Sequence, residues 1–252
     1  MSSREERAAS FNRVPQEYDQ YRPGYPEALY DDLLALTGAT RVLEIGCGPG
    51  KFTEPLARRG VTIDALEPGP ALADYARSKL ADWPRVKVYT SSFEAWQTDT
   101  RYDLVVAASS FHWLDPETRF QRCSGFAPYL ALCWPGGRHT KDDEFETAVQ
   151  PIYEAIAPAL AEKNQAVEDF TRTEASPLFE PVERRFYPWE ARLTSGEYVH
   201  VLNTFSNHLT LPDDARTRLH EAIRRLLDER FGGVLVRTVR AVLDLRQVKT
   251  GS

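Results

Sequence analysis

Apolar residues in this chain recur in short continuous runs separated by stretches of helical spacing. Val42 to Ile45, Val61 to Leu66, Val86 to Tyr89 and Leu104 to Ala107 read as strands, and a fifth is expected around Tyr129 to Cys133. Helical patterns follow Lys51 and run from about Pro70 to Leu80. Strands alternating with helices imply βαβ units and a parallel sheet. Leu104-Val105-Val106-Ala107-Ala108 contains no polar position, as suits a parallel strand covered on both faces.

Upstream, an aromatic segment from Phe11 to Tyr25 precedes a helix from about Pro26 to Leu36, which Thr37-Gly38 ends with glycine at the C′ position. The pattern changes after Pro135. Phe145 to Leu160 is helical with Pro151 and Pro158 as interruptions, and no parallel strand follows promptly, which reads as an inserted cap. Val182 to Leu193 alternates as a strand, Glu197 to Leu209 and Asp213 to Arg230 are helical, and Val234 to Leu245 is a final strand. Asp213 serves as N-cap or first-turn acid of its helix, and Gly232-Gly233 as its stop. The expectation is one domain over 1–252: a leader and helix over 1–40, a core over 41–134, a helical cap over 135–182, and C-terminal strands and helices over 183–252.

Composition narrows the class. With 42% hydrophobic and 27% charged residues, the 252-residue chain has ordinary globular values that indicate neither disorder nor a fibrous class. Its formal charge is −6 and its arginines lie in scattered pairs, so no nucleic-acid partner is expected. Cys47, Cys123 and Cys133 form no CxxC pair, and His139, His200, His208 and His220 are widely spaced, so no metal is expected. These thiols suit a reducing, cytoplasmic location. Residues 1–7 carry no apolar run, and no segment approaches the roughly 18 uncharged apolar residues of a membrane span.

Candidate chemistry centres on Val42-Leu43-Glu44-Ile45-Gly46-Cys47-Gly48-Pro49-Gly50. An apolar strand runs into three glycines at alternate positions and then into a helix. Glycine tolerates positive φ and lacks a Cβ, so such a turn presses backbone groups against a small molecule at a helix N-terminus. A plain βα turn commonly needs one glycine. The spacing differs from the G-x-G-x-x-G of nicotinamide and flavin enzymes. Glu44 stands just before the turn, and Glu67, at the tip of the second strand, is placed to accept both hydroxyls of a ribose.

These residues resemble the class I S-adenosylmethionine-dependent methyltransferases, particularly the type 11 small-molecule group, whose first motif is E/D-x-G-x-G-x-G. The likeness covers Phe11 to Leu114 well and the remainder loosely. It implies a doubly wound, seven-stranded, mostly parallel sheet of Rossmann-like type in the order 3-2-1-4-5-7-6, with strand seven antiparallel. It also implies that Gly46, Cys47 and Gly48 line the methionine portion of S-adenosylmethionine and that Glu44 supports the loop. Glu67 holds the ribose, with Pro68 beside it. Ser92 and Phe93, in Ser91-Ser92-Phe93-Glu94, meet the adenine, Ser92 standing where the family often has aspartate. The run from Ser109 to Asp115 is similar to the segment that closes over the methionine end and faces the acceptor, with Ser109 on the cofactor side. One departure is that Pro135-Gly136-Gly137 follows strand five, where the family places such a turn before it.

Methyl transfer is an in-line displacement on an already activated sulfonium, so the protein must align the groups, exclude water and sometimes take a proton. His112 is the candidate base, by its place and by an unperturbed histidine pKa of about 6.5. Phe111 and Trp113 are candidates for an apolar wall or a cation–π contact with the sulfonium. The leader is similar to one that folds over the active site in this group, with Tyr18 and Tyr21 as wall residues. Arg22 is a candidate carboxylate ligand. Asn207 or His208 is a further candidate for the substrate pocket. Each has a plainer reading: Glu67 a solvated acid, His112 a packing histidine, Arg22 a surface arginine, Phe93 and one of Phe111 and Trp113 core. The implied function is methyl transfer to a small-molecule acceptor, with O-methylation favoured over N- or C-methylation. Competing readings are an NAD(P)-dependent oxidoreductase and a non-catalytic S-adenosylmethionine-binding protein.

Overall fold

The computed structural model describes residues 6, 9–137, 144–165 and 176–249. Its strands are β1 (Arg41–Ile45), β2 (Thr62–Glu67), β3 (Val86–Thr90), β4 (Leu104–Ala108), β5 (Tyr129–Gly137), β6 (Phe179–Thr194) and β7 (Val234–Val248). They form one sheet in the order β3-β2-β1-β4-β5-β7-β6, and β1–β2, β2–β3, β1–β4 and β4–β5 pair in parallel. This is the expected doubly wound, mostly parallel architecture. The order reverses at β1, whose neighbours are β2 on one side and β4 on the other. The crevice outside the carboxyl ends of such strands is where open α/β sheets bind ligands.

The chain divides into two compact units. One comprises Gly24–Gly136, Thr171–Pro188 and Arg240–Ser252; the other Met1–Pro23, Gly137–Phe170 and Trp189–Val239. The first holds β1 to β5. Leu43 and Ile45 of β1, Leu66 of β2, Val105 and Ala107 of β4 and Leu130 and Leu132 of β5 form its buried core with Phe93, Tyr102 and Cys123. Side chains alternate across a strand, so Glu44 projects to the face opposite Leu43 and Ile45. The helix Glu27–Thr37 buries Leu29, Tyr30 and Leu33 and ends where expected, with Gly38 at φ 62° returning its N–H to the Leu34 carbonyl.

The second unit is mainly helical. Phe145, Val149 and Tyr153 recur every four residues on the helix Glu144–Ile156, as do Leu219, Ile223 and Leu227 on Asp213–Arg230, and these two stripes share one core. Asp213 lies in the first turn of its helix, behind Pro212. Thr194 and Glu197 form a reciprocal capping box at the start of Ser195–Leu202.

Several boundaries differ from the sequence reading. Pro151 sits inside the helix Glu144–Ile156, and the break comes at Ala157, because Pro158 opens a second helix, Pro158–Gln165, where its missing N–H costs nothing. The stretch expected as Glu197 to Leu209 is two helices, Ser195–Leu202 and Ser206–Leu209. Strand β5 continues through Pro135-Gly136-Gly137, so those residues end the strand and form no turn after Cys133. His139 lies outside the described residues, as do parts of the expected cap.

Candidate cofactor and active site

The three glycines after β1 all have positive φ, 67° at Gly46, 55° at Gly48 and 82° at Gly50, but their surroundings differ. A Cβ on Gly46 would stand 2.7 Å from the Cβ of Ser110, and one on Gly50 would stand 2.9 Å from Leu80 Cδ1. On Gly48 it would meet nothing within 4 Å. Packing thus demands glycine at Gly46, Gly50 abuts the movable end of Leu80, and the middle one faces open space. The Cys47 N–H is tied to the Leu66 carbonyl at 2.9 Å, which fixes the turn against β2. The Cys47 thiol is buried, and burial pushes it well above the ordinary thiol range, so it stays protonated. What Cys47 offers a ligand is backbone.

Glu67 ends β2. One of its oxygens accepts the Gly48 N–H at 2.9 Å and the other accepts the Gly69 N–H at 2.8 Å. Burial raises its pKa and these two bonds oppose the rise. It is therefore no solvated strand-end acid. Each oxygen keeps a second lone pair for a hydroxyl. Pro68, beside it, is exposed. Glu44 is fully buried, and no hydrogen bond of ordinary geometry reaches either oxygen. Desolvation lifts its pKa to about 7, partly offset by the Thr53 hydroxyl and increased by the Glu67 charge. A buried carboxylate without a well-formed hydrogen bond is costly and suits a ligand that brings a cation or donor.

At the end of β3, Ser92 Oγ accepts the Ala95 N–H at 3.2 Å. Phe93 is 2% exposed with the Arg122 guanidinium 5.2 Å over its ring. The Phe93 side chain is core, which leaves its backbone for an adenine contact. At the end of β4, Ser109 has φ 60°, the one positive value at a non-glycine among the described residues. Its N–H bonds to the Cys133 carbonyl at 2.8 Å and its Oγ lies 3.1 Å from the Tyr25 hydroxyl. Ser110 donates to the Ile45 carbonyl. In the following turn, Phe111–Trp113, Phe111 packs on Phe120 at 5.1 Å and lies under the Arg119 guanidinium at 4.6 Å, facing the core. His112 is exposed, with its ring 4.6 Å from that of Trp113. Gly46, Cys47, Gly48, Glu67, Ser92 and Ser109 thus all stand at or just beyond the carboxyl ends of β1 to β4.

A family described as a methyltransferase domain matches residues 42–137. That match supports a class I S-adenosylmethionine-dependent methyltransferase. It is 28% identical over 231 residues to an uncharacterised methyltransferase of Mycobacterium tuberculosis, covering 89% of this chain and 88% of that one. Over 116 residues, 44% of this chain and 43% of the other, it is 28% identical to malonyl-[acyl-carrier protein] O-methyltransferase 1 of Ilyobacter polytropus. The solved structure of a type II methyltransferase assignment from Anaeromyxobacter dehalogenans matches the fold with a TM-score of 0.64 at 23% identity, covering 91% of this chain and 98% of that one.

This methyltransferase uses S-adenosylmethionine, and its residues fit that group. The open side of Gly48 admits a ligand against backbone, the buried Glu44 carboxylate suits a cationic end, and both Glu67 oxygens keep a lone pair that could accept from hydroxyls.

The leader residues Tyr18, Tyr21 and Arg22 belong to the other unit, where they have partners of their own. Arg22 Nε and Nη2 donate to Thr204 Oγ1 and the Thr204 carbonyl, both at 2.8 Å, and its guanidinium lies 5.0 Å from the Tyr18 ring and 4.4 Å from that of Phe205. Arg22 is thus no loose surface arginine. Tyr21 stacks on His200 at 4.3 Å. His208 is 2% exposed and bonded to Tyr153 and His220, which seals its ring in that unit's core. The sequence places Tyr25 in the aromatic leader and Ser110 in the run after strand four, but assigns neither a role of its own. Ser110 had a signal, since it follows the strand-four end directly; the partner of Tyr25 is 84 residues away and had none.

Proposed function

We propose that this methyltransferase acts on a small-molecule acceptor and places the methyl on oxygen. The observation that carries the reading is the exposed His112, on the turn that follows the strained Ser109, at the same end of the sheet as Gly48. The oxygen preference is supported by the malonyl-[acyl-carrier protein] O-methyltransferase relative.

Gly46, Cys47 and Gly48 hold the methionine end through backbone, with Glu44 accepting from its cationic group. Glu67 and Pro68 take the ribose, and Ser92, the Phe93 backbone and Ser109 complete the cofactor set. S-adenosylmethionine, when bound, supplies a methyl group on a positively charged sulfur. His112 takes the acceptor hydroxyl proton onto a ring nitrogen, which leaves the oxygen nucleophilic. Trp113 excludes water beside it, and Phe111 anchors the turn in the core. Acidic net charge favours an acceptor other than nucleic acid. Three unpaired, buried cysteines favour a cytoplasmic setting, and no helix among the described residues is long and apolar enough to cross a membrane.

The test is a screen of small hydroxyl, carboxyl, amine and activated-carbon acceptors with isotopically labelled S-adenosylmethionine, read by mass spectrometry. Methyl on oxygen is the expected outcome. Methyl found on nitrogen or carbon alone, or on nucleic acid, overturns the reading.

A further inference from the structure

Tyr25 touches the site at both the glycine turn and the end of β4. Its ring meets Phe52 edge-on at 5.0 Å between centroids, and its hydroxyl lies 3.1 Å from Ser109 Oγ. Phe52 is buried where the glycine turn enters the helix Thr53–Arg58. The ring is therefore braced on the cofactor turn while the hydroxyl reaches the end of β4.

Ser109 is held at φ 60°, which a residue with a Cβ adopts at a cost of about 1–2 kcal/mol. Such strain persists only where the surroundings over-determine it. Here the Ser109 N–H is fixed to the Cys133 carbonyl and the next hydroxyl, of Ser110, to the Ile45 carbonyl. Glycine would adopt this φ without strain. What serine adds is a hydroxyl, and that hydroxyl meets Tyr25.

We propose that Tyr25 is a positioning residue for methyl transfer. Through Ser109 it sets the turn Phe111–Trp113 against the glycine turn, so that the acceptor side of the site is ordered before substrate arrives. The inference rests on the assignment of that turn to the acceptor. Alignment of reacting groups is worth far more in turnover than in cofactor affinity. The cofactor residues other than Ser109 have anchors apart from Tyr25, such as those from Glu67 to Gly48 and from Cys47 to Leu66.

The test compares wild type with Tyr25→Phe, Ser109→Ala and the double variant. S-adenosylhomocysteine affinity is measured by calorimetry, amide exchange over residues 110–114 by mass spectrometry without ligand, and kcat and KM with an acceptor methylated by the wild type. Tyr25→Phe keeps the ring and its packing. It is expected to leave S-adenosylhomocysteine affinity within about twofold, to speed exchange in the turn about tenfold and to lower kcat about tenfold with KM little changed. The double variant is expected to be no worse than Ser109→Ala alone, as for two ends of one bond. Unchanged exchange overturns the proposal, and so does faster exchange with wild-type kcat. A turn that loosens while His112→Ala leaves kcat untouched would instead strike the His112 assignment and leave the positioning role standing.

Discussion

Gly48 donates its N–H to the Glu67 carboxylate at 2.9 Å, across nineteen residues of chain. The residue proposed for the ribose is thus also the fastener of the loop proposed for the methionine end, and one substitution disturbs both. Glu67→Gln keeps the shape but offers an amide NH₂ to one of two backbone N–H donors, leaving that donor unsatisfied. The expected cost is about 1–2 kcal/mol of stability and at least tenfold in S-adenosylhomocysteine affinity. Thermal unfolding and calorimetry read the two separately. Unchanged affinity would leave Glu67 as a purely structural clamp.

The outer and middle glycines separate by substitution. A side chain on Gly48 meets open space, so Gly48→Val pays mainly for its positive φ, about 2 kcal/mol, and is expected to fold while losing S-adenosylhomocysteine binding. Gly50→Ala drives a methyl against Leu80 as well, so it is expected to lower the melting temperature more than its size suggests and to weaken binding less. If Gly48→Val binds with wild-type affinity, the cofactor does not lie on this turn.

How much of this was visible in the sequence follows from the range of each interaction. The strand-turn-helix around Gly46 to Gly50 and the acid at Glu67 are local patterns, and the structure places them as read. Periodicity also gave the alternation from β1 to β5. It gave no warning that β5 continues through Pro135-Gly136-Gly137, because Pro and Gly at a strand end look like a turn. Ranking glycines by purpose was beyond sequence too, since Ser110 and Leu80 reach Gly46 and Gly50 from elements far along the chain. The joining of Tyr153, His208 and His220 was likewise hidden, because widely spaced histidines carry no signal of contact.

His112→Ala is expected to lower kcat by about a hundredfold, the scale of a lost general base, while S-adenosylhomocysteine affinity stays near wild type. The side chain is exposed and its turn is anchored by Phe111 and Arg119, so little stability should be lost. Turnover unchanged in His112→Ala rejects the base role and leaves alignment alone to carry the reaction.

The buried histidine row makes acid stability the last test. Tyr153 Oη lies 3.2 Å from His208 Nε2, and His208 Nδ1 lies 3.0 Å from His220 Nε2. Desolvation lowers His208 to about 3, helped by His220 and Arg216, and lowers His220 to about 4, helped by Arg216. Unfolded histidine titrates near 6.5, so below that pH protons bind the unfolded chain first. The contribution of the pair is therefore intact above about pH 6.5 and is lost progressively as pH falls toward 4. One pH unit below 6.5 the loss is about 2–3 kcal/mol for two such groups, a drop of roughly 5 °C or more in melting temperature for a chain of this size. Glu44 works in the opposite sense, since its raised pKa makes protonation on acidification favour the folded form. The pair is isolated by subtracting the curve of the double variant His208→Gln and His220→Gln, which keeps donors and acceptors but does not titrate. A double variant with the same acid slope as wild type would show that the histidine row does not set acid stability.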